Sequence, residues 1–386
     1  MTATIESAQP APYDALCPLV GVEEEYLVVD PLTREVTPRG TQVVERAAAE
    51  LGDLVSTEIT QFQVEAKTPP CAGTVELREH LRRMRVAMAA AADAEGVALV
   101  ASGTPVLGTI VPPPITEHAR YDVGIATYRT LHDEQSICAA HVHVHLPDRE
   151  RALLVGNHLR PWMPVLVALM ANSPYWGGRD TQYASWRTLT WCKWPVAGPA
   201  PYFASEAEYD EVIATLTRVG ALVDPGTIFW DVRPSSRLPT LEVRVTDVPA
   251  TAEESALLAA MVRGMVLAFL ERVDAGDPGP RLRAEVLRAW YWRAARDGLE
   301  GRVIDPADGE LRPATDVVTG LFDLIGPALE QTGDLHVVTR GLERLRAIGS
   351  GAARQRAAFA RRGETADVVD YLVERLVDPG GAHAWE

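Results

Sequence analysis

The chain of 386 residues could hold one large domain, or two or three small ones at roughly 150 residues each. Its 47% apolar and 23% charged residues exclude a disordered or fibrous protein. With 37 basic against 53 acidic residues, the formal net charge of −16 argues against broad binding to nucleic acid or an anionic membrane, since either needs a positive footprint.

Residues 1–18 are Pro- and Ala-rich without periodicity and are expected to form a flexible arm, with 19–386 a single domain that becomes helical from about 251. The arm has neither the basic start nor the apolar core of a secretion signal, and the longest apolar stretch, residues 162–171, is about half of the roughly 20 residues that span a bilayer. Cys17, Cys71, Cys138 and Cys192 are far apart and form no C-x-x-C pair, so neither a disulfide framework nor a structural zinc site is expected. A cytoplasmic protein with reduced thiols is the expectation.

From residue 21 onward, strand-like and helix-like segments alternate. GVEEEYLVVD predicts a strand closed by a loop over 31–40, QVVERAAAELG a helix, and ITQFQVEAKTPP a strand ended by its prolines. Thr74 is placed as the cap of a helix that carries Leu77, Leu81, Met84 and Met88 on one face and ends at Gly96. VALVASG and CAAHVHVHLPD predict two further strands. A helix follows, and then an aromatic, Gly- and Pro-rich segment from NSPYW to PAPYF that is much longer than an ordinary connection, as functional loops tend to be. TIFWDVRPS and PTLEVRVTD predict strands, and the rest of the chain reads as helices interrupted near 276–280 and 301–313. The implied architecture is α+β, a mixed or antiparallel sheet with helices on one side.

Side chains alternate across a strand, so residues two apart share a face. That rule puts Glu23 with Glu25, then Gln61, Gln63, Glu65 and Lys67 together, and Glu242 with Arg244 and Thr246, each set opposite an apolar face or, for the first strand, opposite Glu24 and Tyr26. Any one of these faces could be the wet side of an antiparallel sheet. Carboxylates recurring at central positions of three strands would repel one another in a shared cleft, however, and hard oxygen ligands of this kind suit Mg²⁺ and phosphate chemistry. His141, His143 and His145 also share a face, the pattern of a zinc or iron site on one strand, which leaves a metallohydrolase or a metal-dependent oxygenase open as an alternative. In the aromatic segment, Arg179 and Arg187 are candidate forks for a substrate carboxylate, as are Asp231 and Arg233 if they do not simply pair with each other. Neither a P-loop nor a G-x-G-x-x-G turn nor a G-x-S-x-G elbow occurs.

Taken in order, GVEEEYLVVD, QVEAKTPPC, AAHVHVHLPD, RPWMPVLVALMANSPYWGGRDTQYASWRT and TLEVRVTD resemble the bacterial carboxylate–amine ligases of the glutamate–cysteine ligase 2 family, within the glutamine-synthetase-like superfamily. The resemblance implies a curved antiparallel or mixed sheet forming a funnel, with helices packed outside and with ATP and an amino acid entering from opposite ends. It implies Mg²⁺ held by Glu23, Glu25, Glu65, Glu242 and His141, and nucleotide contacts from Lys67, His141 and Arg244. Arg244 would stabilise the transferring phosphoryl group, His143 is a candidate base, and Arg179, Trp186 and Arg187 would hold substrate. The implied reaction joins a carboxylate, glutamate's γ-carboxyl by expectation, to cysteine or another amine through an acyl phosphate, in a homodimer or larger homo-oligomer. His145 and Lys193 depart from the family pattern, and both are expected near the cleft, where they would alter specificity. A catalytically idle binding protein is the remaining alternative.

Overall fold

A computed structural model describes residues 17–108, 110–133 and 136–377. Nearly all of the expected N-terminal arm therefore lies outside the described residues. The central sheet has seven strands, β1 (Val20–Val29), β2 (Val55–Thr57), β3 (Gln63–Lys67), β4 (Ala98–Val100), β5 (Ala139–His145), β6 (Val232–Pro234) and β7 (Thr240–Asp247), in the order β6-β7-β5-β1-β3-β2, with β4 pairing to β1. All pairings within this sheet are antiparallel. The helices that matter for the site are α1 (Gly40–Leu51), α2 (Thr74–Ala94), α3 (Ala119–Tyr128), α4 (Arg149–Leu159), α5 (Met163–Leu169), α6 (Trp186–Trp191) and α7 (Ala252–Asp274), with further helices running from Ala284 to Leu376.

The two faces of the sheet follow from the alternation in its strands. Val22, Val142, Val144, Leu241 and Val243 point backwards into a core with Leu153 and Val155 of α4, Leu166 of α5, and Leu257 and Met261 of α7. The far half of β1 sends Tyr26 and Val28 into a second core with Val43 and Ala47 of α1 and Met84 and Met88 of α2. The opposite face carries Glu23, Glu25, His141, His143, Glu242 and Arg244 and is left open.

Glu24 breaks the apolar pattern of the back face and is fully buried. Its carboxylate accepts from Arg85 Nε at 3.0 Å and Nη2 at 2.5 Å, from the Tyr26 hydroxyl at 2.5 Å, and from Ser255. Arg85 also donates to the carbonyls of Pro249 and Ala250, so one ion pair ties β1, α2 and the start of α7 together. Removing one member strands the other's charge in the core. Arg85→Met should cost about 3–5 kcal/mol in urea denaturation, and more than the double replacement Glu24→Leu with Arg85→Met, which strands nothing.

Local details depart from the sequence expectations. Thr74 does not cap α2: the capping position is Gly73, and the Thr74 hydroxyl is instead bonded to Asp334, which also binds Arg263. The strand expected over 59–70 shortens to Gln63–Lys67, because Gln61 sits in the turn of a β2–β3 hairpin and donates to the carbonyl of Ile115. No helix of the described residues is long and apolar enough to cross a membrane.

Candidate active site

Register brings the polar residues of distant strands side by side. Glu23 on β1 faces Lys67 on β3 and His141 on β5, while Glu25 faces Glu65. Glu242 on β7 faces His143 on one side and Arg233 on the other. Because neighbouring strands lie about 4.8 Å apart, these rows bring the side-chain tips to within ligand-sharing distance. Two groups result, Glu23 with His141 and Glu242, and Glu25 with Glu65 and His141; within each, the ligand atoms all lie within 4.8 Å of one another. They sit in the floor of a cavity of about 730 Å³, whose opposite wall is built by α3 and by the aromatic rings of Trp191, Trp194 and Phe229.

The charges in this floor are strongly coupled. Burial and the neighbouring charge of Glu65 push the Glu25 carboxyl up to about 7, although it accepts from the Ala139 amide at 2.7 Å. Glu65 is also raised, by burial and by Glu23, against the opposing pull of Lys67, whose ammonium is 2.5 Å away. At Glu23 burial would act the same way, but hydrogen bonds from His141 and His143 outweigh it and hold the carboxyl well below the usual range. Burial likewise opposes ionisation of Glu242, yet Arg244 and Arg233 pull it down to about 2; Arg233 Nη2 is 3.2 Å away and Arg244 is in direct contact. Burial and Arg244 lower His141 to about 4, so its imidazole is neutral and free to ligate. Burial would lower His143 too, but hydrogen bonding to Glu23 and the charges of Glu242 and Glu23 reverse this and raise it.

A pH dependence follows for the ligand-free protein. Glu25 keeps a proton in the folded state up to about 7 that the unfolded chain gives up near 4.5, so stability falls as pH rises through that window. Glu242 acts oppositely: its contribution is present above about 4.5 and is lost as pH falls towards about 2. Thermal melts without divalent cations should therefore peak on the acid side of neutrality. A flat profile between these limits would contradict the coupling.

The structure separates the expected substrate residues. Arg179 is exposed in a short hairpin opposite Trp176, and Trp186 packs beside the Tyr183 ring; neither lines the cavity. Arg187 does line it, but its Nη1 and Nη2 each donate at 3.1 Å to the backbone carbonyls of Val245 and Arg244. The β5–β7 pairing shifts register between Val243 and Thr246, and the bulge turns those carbonyls towards α6, so the fork holds the strand that carries Arg244 instead of a ligand. His145 and Lys193 lie outside the lining, as does Asp231, whose carboxyl burial raises to about 6 against the pull of Arg187. The strand of three histidines thus contributes two to the cavity.

Other lining residues carry no sequence signal. Glu58, in the turn between β2 and β3, is raised well above the carboxylate range by burial and by Glu65 and Glu25. His118, Arg120 and Tyr121 come from the start of α3 and its approach, with Arg120 clamped to Asp224 by bonds of 2.6 and 3.0 Å. Arg233 was readable only as one of two possible partners; it pairs with Glu242, not Asp231.

The sequence matches the profile of the glutamate-cysteine ligase family 2 over residues 19–371. It is 46% identical over 360 residues to a protein of Mycobacterium sp. strain KMS named "Putative glutamate–cysteine ligase 2-2", covering 92% of this chain and 98% of that one. A "Putative glutamate–cysteine ligase 2-3" of Mycolicibacterium smegmatis is 45% identical over 363 residues, covering 93% and 98%. Among solved structures, the glutamate–cysteine ligase of Francisella tularensis in complex with AMP has a TM-score of 0.67 at 13% identity, covering 94% of this chain and 89% of that one. A bifunctional glutathione synthetase from Pasteurella multocida has a TM-score of 0.66 at 15% identity, covering 96% of this chain and 53% of that one. The fold is the glutamine-synthetase-like α+β fold expected from the sequence. The chain belongs to glutamate–cysteine ligase family 2 and is an ATP-dependent carboxylate–amine ligase.

Proposed function

We propose that the enzyme joins the γ-carboxyl of glutamate to cysteine or a related amine, with Mg²⁺ at the two ligand groups of the cavity floor. The observation that carries this reading is the pair of carboxylate groups that share His141 beside Arg244. Their donor chemistry fits a hard dication: mostly oxygen, mutually repelling when empty, and with Glu25 held near 7 for want of a counter-charge. Glu23 and Glu242 would hold one ion and Glu25 and Glu65 the other, with the single lone pair of neutral His141 completing one of the two. When bound, such ions neutralise the triphosphate and polarise its γ-phosphate.

In the first half-reaction a substrate carboxylate oxygen attacks the γ-phosphorus of ATP and the bond to the β-bridging oxygen breaks, giving an acyl phosphate and ADP. Arg244 would follow the charge that develops on the phosphoryl oxygens, with His143 beside it on the same face. Lys67, partly exposed and paired with Glu65, would reach an outer phosphate. In the second half-reaction the amine attacks the acyl carbon, and phosphate leaves with the bonding pair as the amide forms. Glu58 is a carboxylate that lines the cavity outside both ligand groups and would be the acceptor for the amine's proton.

The test is incubation with ATP, Mg²⁺, glutamate and a panel of amines, scored by mass spectrometry for ADP and the condensation product. The expected product is γ-glutamylcysteine or a γ-glutamyl amide. ADP formed at the same rate without any carboxylate acceptor would overturn the assignment. The same preparation in light scattering tests the proposed homodimer or larger homo-oligomer. The free cysteines among the described residues fit a cytoplasmic setting.

A further inference from the structure

A second group of metal-ligating side chains lies outside the cavity. Glu76 and His80 are four residues apart on the first turns of α2 and so project from the same side of the helix. Cys71 lies just before that helix and is bridged to the first residue of β1, with Val20 N to Cys71 O at 2.9 Å and Cys71 N to Val20 O at 2.8 Å. The sulfur, the carboxylate and the imidazole all lie within 4.8 Å of one another. Cys71 is fully buried, and His80 is half-buried; among the described residues the His80 ring has no hydrogen-bond, ion-pair or ring partner. Glu76 uses one oxygen to accept from the Ala72 amide and keeps the other available. Cys17 reaches the same corner, its Sγ 3.8 Å from the Ala72 carbonyl oxygen, and is a candidate fourth donor.

We propose that Cys71, Glu76 and His80 form a binding site for a zinc-class divalent ion, separate from the catalytic cations, that clips the start of β1 to helix α2. A thiolate, an imidazole and a single carboxylate are a borderline-soft donor set, which favours zinc, unlike the carboxylate-rich floor of the cavity. Ligand atoms around a tetrahedral zinc sit about 3.5 Å apart, so small side-chain rotations close the site, with release of the Cys71 thiol proton to solvent. The clip would act on the strand that presents Glu23 three residues after Val20. It would also correct the expectation, drawn from cysteine spacing alone, that no structural zinc is present: the ligands are a cysteine and a helical Glu/His pair, which no C-x-x-C search detects.

The experiment is titration of the whole, chelator-stripped protein with Co²⁺ and then Zn²⁺ in the presence of saturating Mg²⁺. One cobalt ion per chain with a near-ultraviolet sulfur-to-cobalt absorption, displaced by zinc, is expected. Cys71→Ser should abolish that absorption, and His80→Ala and Glu76→Gln should weaken binding on the order of tenfold or more. Glu242→Gln in the cavity should leave it unchanged. If Cys71→Ser does not fold, the other two replacements, which alter an exposed carboxylate and a half-buried imidazole, decide the matter. Absence of a sulfur-to-cobalt band in the unaltered protein, or affinity unchanged in both His80→Ala and Glu76→Gln, would overturn the site.

Discussion

Glu25→Gln is expected to lower ATP turnover roughly 10³-fold while making the metal-free protein more stable. Both effects have one origin. Glu25 and Glu65 face each other across β1 and β3 with their carboxylates in one ligand group, and like charges at that range repel by about 3.5 kcal/mol or more at an effective dielectric of about 20. Burial is the larger part of the penalty and this repulsion the next, and together they hold the Glu25 proton to about 7. The amide keeps the volume and still accepts from the Ala139 amide, but removes the repulsion and with it an anionic ligand. Urea denaturation at about pH 8, where the unaltered carboxyl is ionised, should show the gain, and a coupled ADP assay the loss. Loss of stability together with activity would make Glu25 a structural residue. In the unaltered protein, Mg²⁺ should supply the missing counter-charge, abolishing the decline in stability through neutral pH and releasing protons as it binds, which calorimetry in buffers of different ionisation enthalpy detects.

Arg244→Lys should reduce kcat by about 10²–10³-fold, far more than it changes the KM for ATP. The guanidinium contacts Glu242, approaches His141 Nδ1 at 3.4 Å, and leaves its buried Nε without a partner. A planar fork can keep the Glu242 contact and offer a second edge to a phosphoryl oxygen, whereas an ammonium is a single point of charge. A kcat within twofold of the original would restrict Arg244 to pairing with Glu242. Arg187→Lys offers a contrast. The lysine cannot hold the carbonyls of both Arg244 and Val245, so its loss should track that of Arg244→Lys in kcat without a selective rise in the KM for the acid substrate.

The sequence already carried the composition of the cavity floor, because period-two alternation is a local property of each strand. Glu23 with Glu25, His141 with His143 and Glu242 with Arg244 could be assigned to shared faces before any neighbour was known. Which strands adjoin is non-local, and it was the ordered motifs of the family, not spacing, that implied convergence. Arg179 and Arg187 show the limit: in one segment and of one chemistry, one lies exposed in a short hairpin and the other donates to backbone carbonyls of β7. Glu58 and the wall of α3 were invisible for another reason. Glu58 sits alone in a turn, and α3 buries only Gly124 and Tyr128, since its other sides face the cavity or solvent, so no apolar rhythm marks it. Glu24 could be read only as sharing a face with Tyr26, because its partner Arg85 lies 61 residues away. Glu242 lies on a strand face that a wet sheet surface could equally produce, but two arginines and deep burial make it part of an ionic core.

Because side chains change sides at every residue, one codon gained or lost within β1, β3, β5 or β7 would turn the downstream ligands of that strand away from the nucleotide and into the hydrocarbon interior. Substitution can explore this pocket one group at a time, but length variation cannot. Among diverging descendants of this gene, insertions and deletions should accumulate in the connections and be purged from those four strands, even where sequence identity has otherwise decayed.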